Sequence, residues 1–114
     1  MKINEFYKNY EFHDSLINNI KFNQEKGTLS INIELCNYEQ KYYKEGDDEI
    51  IIIDVIFKGC KSYDSLVGEL DAYSILDTVL NNDNQITFNV LDDFNDNYYE
   101  LHIQADSVEV LKVK

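Results

Sequence analysis

Leu29-Ser30-Ile31-Asn32-Ile33-Glu34-Leu35-Cys36 alternates large apolar residues with Ser, Asn, Glu and Cys. Successive side chains of a strand point to opposite faces, so this run is a strand whose buried face carries Leu29, Ile31, Ile33 and Leu35. Cys36 falls on the other face. Upstream, Gln24 to Gly27 reads as a turn and residues 15–23 as the preceding strand. There Ile17 and Ile20 break strict alternation, and a bulge near Asn18-Asn19 reconciles them. The two runs form a β-hairpin with one apolar face.

Working outward, residues 37–48 are polar and rich in Tyr, and read as a loop or ragged strand ends. Residues 49–58 return to strand, with apolar residues on both phases as in a strand covered on both faces. Residues 60–66 read as a short strand or a loop. Ala72, Ile75, Leu76, Val79 and Leu80 lie at i, i+3, i+4, i+7 and i+8, the stripe of an amphipathic helix. The spacing predicts a helix from Asp71, as N-cap, to Asn81. Residues 85–91, 98–104 and 108–113 read as three further strands, with turns at 92–97 and 105–107. At the N-terminus, Ile3, Phe6, Tyr7 and Tyr10 allow a short helix capped by Asn4. The expected fold class is α+β: a mainly antiparallel sheet of about six strands, curved or two-layered, with one packed helix. No linker or repeat divides residues 1–114, so one domain is expected.

The composition narrows function mostly by exclusion. Asp and Glu number 22 against 10 Lys and no Arg, a formal net charge of −12 spread over both halves. Such a chain repels nucleic acid and anionic membranes, so neither is an expected direct partner. No apolar run approaches a membrane span, and the first residues lack the apolar core of a signal peptide. Two cysteines, Cys36 and Cys60, are too few for a disulfide scaffold and read as reduced thiols of a cytoplasmic protein. No cofactor is expected, because no Gly-rich phosphate loop is present. No metal is expected either. Asp93, Asn95 and Asn97 imitate the start of a calcium loop but lack its Gly and its final Glu, and Cys36, Cys60, His13 and His102 are not closely spaced.

Phe12-His13-Asp14-Ser15 is the sharpest local cluster. A base, orienter and nucleophile adjacent on an extended chain point to alternate faces and cannot form a relay. The residues read instead as structural: Asp14 or Ser15 bonding backbone amides at a strand start, and His13 packing against the first hairpin. Phe12-His13-Asp14-Ser15-Leu16, followed by Ile20, a turn and the Leu29-Ile31-Ile33-Leu35 alternation, resembles the opening of small bacterial immunity-type proteins of polymorphic toxin systems. The resemblance covers about residues 10–36. It implies a small cytoplasmic β-rich domain that neutralises a toxin.

Nine Tyr accompany the acids. Tyr anchors protein interfaces, and an acidic field steers a basic partner. Biased coding that substitutes Tyr for Trp and Phe accounts for them equally well. The expectation is a non-enzymatic acidic binder of a basic protein, such as a toxin nuclease. Its expected contacts, all in loops, are Tyr42, Tyr43, Glu45, Asp47, Asp48, Asp92, Asp93 and Asp96. Two alternatives stay open: another acidic inhibitor, such as an anti-CRISPR or DNA mimic, and a small enzyme or ligand-binding domain using His13 and Asp14.

Overall fold

The computed structural model describes residues 1–64 and 73–113. The chain opens with α1 (Ile3–Asn9), and eight strands follow: β1 (Leu16–Asn23), β2 (Thr28–Cys36), β3 (Ile50–Lys58), β4 (Ser62–Tyr63), β5 (Tyr73–Asn82), β6 (Gln85–Asp92), β7 (Asn97–Gln104) and β8 (Ser107–Lys112). All neighbours are antiparallel, in the order β4-β7-β6-β5-β1-β2-β3-β8. The fold is thus α+β, with an antiparallel sheet and one α-helix among the described residues.

The run that opened the reading behaves as its alternation requires. Leu29, Ile31, Ile33 and Leu35 are completely buried, and the β1–β2 register shifts between Ile17 and Asn19, where the bulge is expected. Cys36 departs from the pattern. It lies on the outward phase, yet it is buried because the 3-10 turn at Asn37–Glu39 and the loop beyond it fold back over the end of β2.

Two expectations are corrected. The helix expected over Asp71 to Asn81 is strand β5, with Asp71 and Ala72 outside the described residues. Its register against β6 shifts twice, between Ile75 and Asp77 and between Leu80 and Asn82. Each bulge adds one residue and flips the phase, so a period of two imitates a helical stripe. Among the described residues of that stripe only Ile75 is fully buried, and Val79 is 42% exposed. The sheet therefore has eight strands rather than about six, the other addition being the two-residue β4. Among the described residues the one α-helix lies at the N-terminus. Lys2, not Asn4, occupies its N-cap and makes no side-chain capping bond, while Ile3 and Phe6 are buried.

The sheet consists of two four-stranded halves. β1 and β5 pair through two positions, Leu16–Ser74 and Ile17–Tyr73. Beyond that corner the halves fold over one another, as the backbone contacts show: the Cys60 amide donates to the Gly27 carbonyl and the Asp106 amide to the Lys58 carbonyl, both at 2.9 Å. Phe57 on β3 and Phe88 on β6 meet edge-to-face across the gap, with Phe6 and Phe12 packed beside them. A single buried cluster unites both halves and α1. Gly59, at φ +61°, marks the tightest crossing, since a Cβ there would collide with the Asp106 carboxylate. No helix among the described residues is long and apolar enough to cross a membrane.

Candidate functional site

Phe12-His13-Asp14-Ser15 builds the corner between the halves. The Ser15 amide closes a turn on the Phe12 carbonyl at 3.0 Å, with Asp14 in left-handed backbone at φ +65°. Asp is among the few residues besides Gly that tolerate this conformation. The Asp14 amide donates to the Ile75 carbonyl at 2.9 Å, and the Ile75 amide to the Ser15 carbonyl at 2.7 Å, stitching the turn to β5. The fully buried Ser15 hydroxyl oxygen accepts the Cys36 amide of β2 at 3.0 Å. His13 does not pack on the first hairpin as expected. Its Nδ1 donates to the Leu76 carbonyl at 2.7 Å, holding the first bulge of β5. That bond, and then the Asp14 carboxylate 3.5 Å from Nε2, raise the His13 pKa. Both groups that a relay would need, the imidazole Nδ1–H and the Ser15 hydroxyl, are thus engaged with backbone.

The loop after β2 forms the second feature. Buried Gln40 ties it to the chain ahead of the corner. Its Nε2 donates to the carbonyls of Glu11 at 2.6 Å and Cys36 at 3.0 Å, and its Oε1 accepts the Glu11 amide at 2.9 Å. Buried Asn37 donates to the Asp48 carbonyl and accepts the Tyr42 hydroxyl, both at 2.7 Å. A cleft of about 560 Å³ opens beside this framework, lined by Tyr10, Tyr42, Asp47 and Asp48 together with Ile51 and Ile53 of β3 and Val110 and Lys112 of β8. Burial raises the pKa of Tyr10 and Tyr42.

The expected contact residues divide. Tyr42, Asp47 and Asp48 line this cleft, whereas Tyr43 and Glu45 do not. Tyr43 donates its hydroxyl to the Asp47 carbonyl at 3.2 Å, and exposed Glu45 lies in the same loop. Asp92 is not in a loop but is the last residue of β6, and Asp93 and Asp96 lie in the β6–β7 turn; among the described residues no hydrogen bond or ion pair joins that turn to the 37–49 loop. Asp92 is no surface contact: it is buried, and its carboxylate accepts the amides of Phe94 and Asn95 and the Asn95 side chain. The Asn95 side-chain bond leads the effects that lower its pKa. Asp93 accepts the Ser74 hydroxyl, and Asp96 is exposed at φ +55°.

Sequence reasoning missed Asn37 and Gln40, the polar pair that sets the loop. Their signal was two amides placed immediately past a strand end. Phe94, 76% exposed at the turn tip, was also missed, although an aromatic between acids in a turn is anomalous. His102 Nδ1 lies 2.7 Å from Asp64 Oδ2 and Nε2 3.3 Å from Glu100, an exposed trio: Glu100 is two residues back on the same strand, whereas Asp64 is brought in by the β4–β7 pairing, which no spacing reveals. Among the described residues no group of three or more His, Cys, Asp or Glu is placed to hold a metal ion. No family model, curated protein or solved structure matches the chain.

Proposed function

We propose that this chain is a non-enzymatic binding protein that neutralises a basic protein partner, in the manner of an immunity-type inhibitor of a toxin such as a nuclease. The observation that carries the reading is the cleft beside the 37–49 loop, where Tyr42 is oriented by Asn37 next to the Asp47 and Asp48 carboxylates. An aromatic body with a fixed polar tip beside acids suits a cationic side chain of a partner. The net charge of −12 adds long-range attraction for a basic surface. A catalytic role for His13 and Asp14 is less well supported, because the His13 Nδ1 and Ser15 hydroxyl serve the fold. Two free cysteines, one of them buried Cys36, fit a reducing cytoplasm. An acidic inhibitor of another nucleic-acid enzyme would use the same surface, and the partner's identity separates the two.

The test is capture of the bound protein from the native host, followed by titration of that protein's activity. Inhibition should saturate at a fixed stoichiometry. Protection by clearly substoichiometric amounts means turnover, and sinks the binding reading in favour of an enzyme.

A further inference from the structure

The cleft runs beside an open sheet edge. β8 pairs with β3, and the Val113 amide continues that ladder by donating to the Ile52 carbonyl at 2.8 Å. In an antiparallel pair the backbone groups of alternate residues face the partner strand, so residues 107, 109, 111 and 113 serve β3. Those of Val108, Val110 and Lys112 face outward. Met1 covers Val108: its ammonium donates to the Val108 carbonyl at 2.8 Å and its carbonyl accepts the Val108 amide at 2.9 Å. The chain then turns away into α1. Among the described residues nothing bonds the outward amides and carbonyls of Val110 and Lys112. These same two residues help line the cleft.

We propose that an extended segment of the basic partner adds to the sheet along β8 at Val110 and Lys112, and places a Lys or Arg side chain in the cleft. The inference rests on the basic-partner reading and specifies how that partner docks. Backbone pairing at an exposed edge supplies attraction independent of sequence, and the adjoining pocket supplies the choice of side chain. Ile51 and Ile53 meet the aliphatic stem, while Tyr42, Asp47 and Asp48 meet the cationic head. Asp47 spends one carboxylate oxygen on the Lys44 amide at 3.0 Å. Lys112 also lines the cleft, but among the described residues it forms no ion pair with either carboxylate. The acids are therefore available to an incoming cation. A Lys or Arg satisfies them, whereas a Glu would not.

The experiment follows amide hydrogen exchange in the isotope-labelled full chain with a capped Lys-Val-Lys-Val-Lys peptide. With the peptide at about ten times its Kd, exchange at Val110 and Lys112 should slow roughly tenfold, because only the free fraction exchanges. Glu109 and Leu111, already paired, should change little. A peptide N-methylated on the amides facing β8 should give no protection, and neither should Val110→Pro, which deletes an outward donor without touching the β3 ladder. Should Val110→Pro fail to fold, the N-methylated peptide decides alone. Equal protection by that peptide overturns the strand addition. Equal protection by a capped Glu-Val-Glu-Val-Glu peptide, run as the charge control, overturns the cationic occupant and the basic-partner reading together. Protection that grows with protein concentration in the absence of peptide assigns the edge to a second copy and overturns the proposal. Binding of the Lys peptide with no protection at Val110 and Lys112 overturns the edge and leaves the basic-partner reading standing.

Discussion

The Ser15 hydroxyl holds the buried Cys36 amide, so Ser15→Ala leaves a donor with neither water nor protein. That loss should cost about 1–3 kcal/mol in a urea melt, and an unchanged midpoint would show that the amide finds another acceptor. His13 and Asp64 give opposite pH signatures. The Leu76 carbonyl, then Asp14, raise the His13 pKa above its ordinary 6.5. The corner stability from His13 is therefore complete below pH 6.5 and fades as pH rises through the folded value. The His102 amide and ring lower the Asp64 pKa below its ordinary 3.8, so the β4–β7 contact is complete above pH 3.8 and fades as pH falls through the folded value. Resolved titrations of the His13 ring and the Asp64 carboxyl check both directions, and a His13 pKa at or below 6.5 contradicts the Leu76 bond. At this scale the sequence singled out the corner motif but not its partner, since nothing in Phe12-His13-Asp14-Ser15 points to a bulge some sixty residues away.

Elements with unbroken alternation, or with a single bulge as in β1, were legible, and β5 with two bulges was not. The phase of β2 follows from side-chain direction alone, so Ile33→Ala should cost about 2–5 kcal/mol, as for any fully buried position that cannot collapse. In β5 the bulges at Ile75–Asp77 and Leu80–Asn82 broke the period of two and made it look helical. A helix carrying Ile75, Leu76, Val79 and Leu80 on one stripe would bury Val79, but the strand exposes it. Val79→Thr should therefore change stability by less than about 0.5 kcal/mol. A loss comparable to that of Ile33→Ala would restore the helix. The two-residue β4 was legible only as one of two readings of residues 60–66, a short strand or a loop, for a different reason: its pairing partners Gln104 and Ile103 lie some forty residues downstream.

For the whole molecule, the proposed binding role assigns separable contributions to charge and to the 37–49 loop. The captured partner should associate fast at low salt, and the rate should fall as added salt shortens the screening length to about 10 Å at 0.1 M. Asp47→Lys with Asp48→Lys should mainly slow association, whereas Tyr42→Ala should mainly speed dissociation. An association rate indifferent to salt would remove steering from the account. Composition made the charge legible. It could not show which acids are already committed, and Asp92, buried beneath its own turn, is the clearest case.

The narrow β1–β5 corner also orders events in time. β5, β6 and β7 are consecutive hairpins, and so are β1, β2 and β3, so each triplet can zip up from contacts close in sequence. β8 cannot: it must come back past an entire half of the molecule to reach β3, and such distant closures are the slow ones. The two triplets should acquire exchange protection early in refolding, and the β3–β8 ladder last. Until then β3 presents an unpaired flank to other nascent chains, so crowding during synthesis is most hazardous in the interval before residue 107 emerges.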